Sequence, residues 1–384
     1  MTSIRKRPEP IPALTGIRGI AAMGVFLCHL QPVALRLFGL DPNAGSLFIG
    51  NGFRGVDLFF VLSGFILYHV HAVDFRTIDA ARIVQFYVLR FFRVYPLNAV
   101  LMLLMIPLPV FLPQFVQWHR LLHLQEGSYH LLDFSPDAFF QSLFLTQAWT
   151  IAKLGTWNEP AWTLSAEIVG YCVFPILAIT SCRQTSGLHS LLLAIASLTL
   201  FVVLMIAAGH ATNNPSGSFG LIRMAFCFAA GVSLCRSFQL ISIPSAMITT
   251  LTLASIVLIA VCFGWAPIGT LSVFGFGGLI FGLAYSRGPV NRLMTTLPVM
   301  YLGRVSFSFY IVHLIPLELF EFFVLDAVRQ SSIGIRLAAL AMVVVTLFLL
   351  ATLTYRTIEV PFQRLGRRVA ARLQSIPDVR QSAA

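Results

Sequence analysis

The sequence predicts an all-α, polytopic membrane protein with about ten transmembrane helices and both termini in the cytoplasm. Three observations support this: 57% of the 384 residues are apolar, only 11% are charged, and long apolar runs recur along the chain. A soluble domain carries roughly 25% charged residues. A soluble fold of this length could not cover its surface with so few charges. Each run is about 20 residues long, enough to cross roughly 30 Å of hydrocarbon.

The predicted organisation is a single transmembrane domain, 13–360, between a cytoplasmic N-terminal segment, 1–12, and a cytoplasmic tail, 361–384. The predicted spans are 13–34, 53–73, 95–116, 161–181, 188–209, 219–237, 244–263, 267–285, 299–326 and 336–356. With a cytoplasmic N-terminus, most Lys and Arg residues fall in cytoplasmic segments, as the positive-inside rule requires.

Composition also narrows the partners. The chain has 26 Lys+Arg against 15 Asp+Glu, but the basic residues lie between apolar runs and form no separate basic domain, so nucleic acid is not expected. The six cysteines contain no CxxC pair, and the histidines lack metal-ligand spacing, so the sequence predicts no metal site. The bilayer itself is the expected surrounding, and the first apolar run is read as an uncleaved helix.

Three segments outside the simple pattern carry their own expectations. The basic and aromatic stretch 76–94 predicts an interfacial helix on the cytoplasmic side. The external segment 117–160 is the longest loop, with a short helix expected near 139–149. Glu359, followed by Pro361, is expected to end the last span with a carboxylate that reaches toward the headgroups.

Ionisable residues inside the spans point to a functional site, because burying them in hydrocarbon is costly. The first span contains Arg18 and His29, eleven positions apart. Eleven steps of about 100° nearly complete three turns, so both side chains lie on one helix face, about 16 Å apart along the axis. A shared face favours a pore lining over the alternative, in which Arg18 reaches the inner headgroups and His29 makes an interhelical hydrogen bond.

Acidic residues at a similar depth are candidate partners for His29. Asp57 opens the second span, and we interpret it as orienting the imidazole, with an ion pair to Arg54 as the alternative. Glu167 lies one to two turns into the fourth span and completes an acid–base cluster with His29 and Asp57. Its alternative role is a structural partner for Arg223. The sequence does not decide between these roles.

Further candidates are less specific. Ser63 permits close helix packing in the second span, and Trp162 opens the fourth. Arg304 and His313 repeat the arginine-then-histidine order in the ninth span. Nine steps of about 100° put these two on opposite faces of an ideal helix, so both line one pore only if that helix is irregular.

The ordered set of motifs resembles the acyltransferase-3 family of bacterial integral-membrane O-acyltransferases. No single motif is specific, but together they run in family order along nearly the whole chain. They are Arg18 and His29 with ten residues between them, and the segments 55–65, 90–96, 162–167, 306–313 and 359–362.

The resemblance implies transfer of an acyl group, usually acetyl, from cytoplasmic acyl-CoA to a hydroxyl of a cell-surface glycan, glycolipid or related acceptor. It implies that His29 is essential, that Arg18 is functionally important, and that Arg90 and Arg93 take part. Acyl-CoA is then a co-substrate, with no tightly bound cofactor, and the expected location is the bacterial inner (cytoplasmic) membrane.

Given the acyl-CoA donor that the resemblance implies, the guanidinium groups of Arg18, Arg90 and Arg93 are expected to hold its phosphates. His29 then acts as general base or as an acyl-carrying nucleophile, with Asp57 or Glu167 tuning it. A transporter of a sugar, lipid or organic ion is the alternative function, although no inverted repeat supports it. A non-catalytic scaffold leaves the buried charges unexplained.

Overall fold

A computed structural model describes residues 8–75, 79–118, 134–149, 157–210 and 217–374, and every regular element within them is helical. The longer helices, numbered in chain order, are α1 (Pro12–Leu37), α2 (Gly55–His71), α3 (Ala80–Met105), α4 (Trp162–Cys182), α5 (Gly187–Ala207), α6 (Gly217–Leu240), α7 (Ser245–Gly264), α8 (Ser272–Ala284), α9 (Leu297–Val312), α10 (Ile333–Thr354) and α11 (Val360–Gln374). Short helices at Pro136–Leu143, Gly288–Met294 and Leu314–Phe320 connect or extend them.

The described residues contain nine helical segments that are long and apolar enough to cross a membrane, and α9 is a shorter apolar tenth. This confirms the predicted all-helical, polytopic architecture. Much of the side-chain surface of these helices is apolar and exposed, as on α5, α7 and α10. An exposed apolar surface of this extent is expected when lipid is the solvent.

Two local predictions were wrong, and a third was correct in kind but displaced along the chain. Residues 80–94 do not form a separate interfacial helix, because α3 runs without a break from Ala80 to Met105. The expected short helix near 139–149 is Pro136–Leu143. Glu359 does not end the last helix: a π-helical turn, Tyr355–Glu359, leads directly into α11. The wider turn accommodates Pro361, which cannot donate a backbone hydrogen bond to the turn before it.

Helices α1 and α9 cross at van der Waals distance, and this crossing positions the site. A Cβ atom on Gly19 would lie 2.5 Å from the backbone nitrogen of Gly303, and one on Gly303 would lie 2.1 Å from the Thr15 carbonyl oxygen. Only glycine permits so close a backbone approach. The side chains that flank the crossing, including Arg18, are therefore held against α9.

Helices α2 and α6 make a second close crossing. A Cβ atom on Gly64 would lie 2.0 Å from the carbonyl oxygen of Phe228, and one on Gly231 would lie 2.0 Å from that of Val61. Helix α6 also packs on α4 and α5, while α11 packs along α3. The result is a bundle in which α1, α2, α3, α4 and α9 surround one interior space.

Candidate active site

These five helices enclose a cavity of about 140 Å³ whose charged wall contains three arginines. Arg18 comes from α1, and Arg90 and Arg93 come from α3, one turn apart. Glu167 of α4 and Ser63 of α2 line the same space, which we call the arginine chamber. Guanidinium groups bind phosphate and carboxylate oxygens through charge-assisted hydrogen bonds. The chamber is therefore suited to an anionic group.

Two of the arginines retain unused donors within the described part of the chain. Arg18 donates from Nη2 to the Gly303 carbonyl oxygen at 3.3 Å, and its buried Nε has no hydrogen-bond partner there. The buried Nε of Arg90 also lacks one, although its guanidinium lies 6.0 Å from the Tyr171 ring centroid. An unsatisfied buried donor is costly. Both side chains are thus available to a ligand.

Arg93 is engaged differently, because it forms an ion pair with the buried carboxylate of Glu359. Glu359 also accepts a hydrogen bond of 2.7 Å from the Ser308 hydroxyl. The Arg93 guanidinium lies 5.0 Å from the ring centroid of Phe307. Glu359 therefore holds Arg93 in place between α3 and α9, and the expectation that its carboxylate reaches toward headgroups was wrong.

Glu167 lies in the arginine chamber and not beside His29. It accepts a hydrogen bond from the Ser63 hydroxyl and interacts with the Tyr171 side chain. It is also near enough to Arg18 and Arg90 to act on both electrostatically. This corrects its predicted position, and it equally excludes Arg223 as its partner in the structure. Glu167 limits the excess positive charge of the chamber.

A second, narrower space lies farther along α1 and α9. It is lined by His29, His313, Glu159, Trp162 and Tyr310, and we call it the histidine crevice. The two imidazole ring centroids are 5.2 Å apart. His29 is half-buried, whereas His313 is 1% exposed. The structure thus brings together three of the residues predicted from the sequence, which are His29, Trp162 and His313.

The hydrogen bonds of His313 indicate its tautomer. Its Nδ1 lies 2.6 Å from the Tyr310 carbonyl oxygen, which can only accept, so Nδ1 carries the proton. Its buried Nε2 has no partner among the described residues. In a neutral ring, that Nε2 is a proton acceptor. His313 therefore presents a hydrogen-bond acceptor nitrogen within the crevice that contains His29.

Among the described residues, Glu159 lines the histidine crevice and Glu318 lies near Glu159, and neither was among the predicted site residues. Glu159 lines the crevice, 8% exposed, and is close enough to Cys28 and Glu318 for electrostatic interaction. The predicted ninth span included Glu318, so the rule that flagged other intramembrane charges would have found it. Glu159 lies just before the predicted start of the fourth span, and near such a boundary the sequence does not distinguish a loop residue from a membrane-buried one.

Asp57 is not the partner of His29. Its carboxylate accepts a hydrogen bond of 2.9 Å from Nε of Arg223 on α6, and both side chains are buried. Arg54, the alternative partner, donates to Asn51 and Thr270 and also lies near enough to Asp57 for an electrostatic interaction. The side chain of α2 that lines the crevice is Val56. The predicted depth of Asp57 was compatible with the site, but the rotation of α2 turns it toward α6.

Arg304 and His313 lie on different sides of their helix, as ideal geometry predicted. Arg304 is exposed, and His313 follows the end of α9 at its junction with Leu314–Phe320. Arg304 therefore belongs to neither of the two spaces. Of the predicted residues, the arginine chamber contains Arg18, Ser63, Arg90, Arg93 and Glu167.

The two spaces lie in sequence along one helix pair. Arg18 and His29 are about 16 Å apart along α1 by helical rise, and Phe26, almost fully buried, lies between them against Phe309 of α9. Tyr310 lines both spaces. An anion-binding chamber and a pair of imidazoles are thus adjacent, in an arrangement suited to proton transfer beside an anchored anionic molecule.

The chain matches a family model described as an acyltransferase domain over residues 11–355. A protein of Staphylococcus aureus (strain COL), provisionally named an O-acetyltransferase, is 22% identical over 391 residues, which cover 94% of this chain and 58% of that protein. The acyltransferase MdmB of Streptomyces mycarofaciens is 30% identical over 171 residues, 43% of this chain and 38% of that protein.

Protein 2 in the picA locus of Rhizobium radiobacter is 32% identical over 217 residues, which cover 53% of this chain and 97% of that protein. The present chain spans less than two thirds of the length of the Staphylococcus and Streptomyces relatives. No solved structure matches the chain.

Proposed function

Because this chain belongs to the acyltransferase family whose domain it matches, we propose that it transfers an acyl group, in the first instance acetyl, from cytoplasmic acyl-CoA to a hydroxyl of a cell-surface glycan or glycolipid. The single observation that carries this proposal is the succession of an arginine chamber and a histidine crevice along α1 and α9. The location proposed with it is the bacterial inner membrane, with the arginine chamber toward the cytoplasm.

The arginines bind the donor. Acyl-CoA is polyanionic, so it needs cationic partners to enter a low-dielectric interior. Arg18 and Arg90 have buried Nε donors without partners in the described residues, and these donors hold phosphate oxygens. Arg93 is held by Glu359 and contributes its remaining donors. The extended pantetheine arm then carries the thioester along α1 toward His29.

The histidines carry out the proton transfers. His29 takes the proton from the acceptor hydroxyl as its oxygen attacks the thioester carbonyl carbon. A carbon–oxygen bond forms, the carbon–sulfur bond breaks, and the thiolate of CoA receives the proton from His29. Glu159 lies beside the imidazolium and stabilises its charge. His313 orients and supports His29, while Asp57 acts structurally through Arg223 and Glu167 acts in the arginine chamber.

The test is the consumption of acetyl-CoA by membranes containing the protein, with free CoA and acylated acceptor measured separately. We expect CoA release that depends on an added glycan acceptor and that collapses in His29→Ala. His189→Ala is the matched control, because His189 is exposed on α5 away from both spaces. Full activity in His29→Ala would refute the assignment of the base.

A second outcome bears on the reaction itself. If the wild-type protein releases no CoA with any acyl donor and acceptor, while vesicles containing it move a sugar, lipid or organic ion, the protein is a transporter. Family membership argues against that function. The same membranes serve for both assays, so the two functions are compared on one preparation.

A further inference from the structure

Tyr310 forms the wall between the arginine chamber and the histidine crevice. It is the residue of α9 that lines both spaces, and it is 8% exposed. On α4, Thr163 lines the chamber and its neighbour Trp162 lines the crevice. On α2, Phe59 lines the chamber and Val56 lines the crevice. The boundary between the spaces therefore crosses three helices at one level, and Tyr310 closes it.

Contacts on both sides hold the Tyr310 ring in this position. Its hydroxyl is within hydrogen-bonding reach of the Thr163 side chain. Its ring meets Phe59 edge to face, with centroids 5.5 Å apart and planes at 71°. On the other side, its centroid is 5.6 Å from that of His313. Thr163 itself is fixed by donating to the Pro160 carbonyl oxygen at 2.9 Å.

The chamber on the inner side of this ring is chemically divided. Arg18, Arg90 and Arg93 supply its charge, whereas its wall at Tyr310 is apolar: Phe59 contacts the Tyr310 ring, and Phe60 and Leu164 line the same space. An apolar end behind an anion-binding entrance suits a molecule with anionic phosphates at one end and a short acyl group at the other. The Tyr310 ring closes this end of the chamber, so it limits the length of the acyl group that fits there.

We propose that the apolar end of the chamber is the acyl-binding pocket and that Tyr310 is a gate which closes it from the His29 side. The inference rests on the proposed acyltransfer. In the closed position, the ring limits the length of the acyl chain and keeps water in the crevice from the thioester carbon. Rotation of the ring joins the two spaces, so that the acceptor oxygen and His29 reach the carbonyl carbon.

Loss of the gate allows a defined side reaction. Water, activated by His29, attacks the thioester carbon, a carbon–oxygen bond forms and the carbon–sulfur bond breaks. The products are the free carboxylic acid and CoA with its thiol protonated. Excluding water from a reactive intermediate is an established role for closed sites, and the assay for this gate is therefore CoA release in the absence of an acceptor.

The experiment compares wild type, Tyr310→Ala and Tyr310→Phe in sealed vesicles supplied with acetyl-CoA or hexanoyl-CoA and no acceptor. We expect Tyr310→Ala to raise acceptor-free CoA release by about tenfold or more, because its site no longer excludes water. It also raises the use of hexanoyl-CoA relative to acetyl-CoA, and Tyr310→Phe has a smaller effect. His29→Ala combined with Tyr310→Ala returns CoA release to background.

Tyr301→Ala is the control on the same helix, because Tyr301 lines neither space and bonds to Thr352 of α10. Unchanged acceptor-free release and an unchanged ratio of the two donors in a folded Tyr310→Ala protein would overturn the gate. If that variant does not fold, Thr163→Val, which removes the hydroxyl partner of Tyr310, is expected to show the same effects more weakly.

A labelling measurement separates the gate from the proposed function. Ser63→Cys introduces a thiol in the arginine chamber, and a charged thiol reagent is applied from the His29 side. Labelling above the level of the native cysteines is expected only when Tyr310→Ala is also present. Equal labelling with and without Tyr310→Ala rules out the gate. This readout needs no acyltransfer, so it tests the gate even if no acyl-CoA is consumed.

Discussion

The imidazole rings of His29 and His313 lie 5.2 Å apart, although 284 positions separate them in the chain. The pair exists because α1 and α9 cross at Gly19 and Gly303, where the backbones nearly touch. The same crossing holds Arg18 against α9. One helix crossing therefore positions both the anion-binding end and the basic end of the site.

The two histidines are expected to differ in importance. His29→Ala should lower kcat by about a hundredfold or more, the usual contribution of a general base. His313→Ala should lower kcat by about tenfold with an unchanged KM for acetyl-CoA, because it supports the base without binding the donor. Steady-state kinetics of both variants, with His189→Ala alongside, would check this. If both variants lose kcat equally, His313 takes part in the proton transfer together with His29.

The chamber arginines should affect donor binding. Arg18→Gln and Arg90→Gln should each raise the KM for acetyl-CoA by about tenfold or more, since a hydrogen bond to a charged group contributes roughly 1.5–3 kcal/mol. The KM for the acceptor should not change. Arg292→Gln is the matched control, because Arg292 is exposed on the short helix Gly288–Met294. A donor KM that is unaffected in both variants would contradict phosphate binding here.

Asp57 should be structural. Asp57→Ala leaves the buried Arg223 charge without its carboxylate, so it should lower the free energy of unfolding by about 3–5 kcal/mol. Thermal unfolding in detergent measures the loss. Replacing both residues, Asp57→Ala with Arg223→Met, should recover part of it and also part of the activity. A stable but inactive Asp57→Ala protein would instead indicate a catalytic role for Asp57.

Two glycine substitutions should have opposite effects on stability, because Gly64 lies at a close helix crossing and Gly334 does not. Gly64→Ala puts a methyl group 2.0 Å from the carbonyl oxygen of Phe228, so α2 and α6 must separate and the melting temperature should fall by several degrees. Gly334→Ala in α10 meets nothing within 4 Å and should raise stability by about 0.4–1 kcal/mol. Melting curves of the two variants in one detergent would test both. A Gly64→Ala protein as stable as wild type would contradict this packing.

Much of the architecture could be predicted from local properties of the sequence. The spans follow from apolar run length, and the charges within them stand out because lipid makes each one costly wherever its partner lies. The same reasoning identified Arg18 and His29 as site candidates, whereas Arg90 and Arg93 lie outside the predicted spans and were implied by the resemblance to the acyltransferase-3 family. It failed at helix ends, where α3 continues through a basic stretch and α10 leads into α11 past Pro361.

The partners of the buried charges could not be predicted in this way. Asp57 and Arg223 are 166 positions apart, Ser63 and Glu167 are 104 apart, and Arg93 and Glu359 are 266 apart. The depth of each residue followed from its place in a span, but its direction depends on how each helix is rotated. A shift of one residue, about 100° on a helix, decides whether Val56 or Asp57 faces His29.

The sequence by itself thus determined that this is a helical membrane protein with charges buried at several depths, because length and polarity are properties of each segment alone. Only the tertiary structure decided that Asp57 pairs with Arg223, that Glu167 lies among the arginines, and that Tyr310 lines both the arginine chamber and the histidine crevice. These relationships depend on contacts between helices distant in the chain, where a few close crossings set the rotation of each helix.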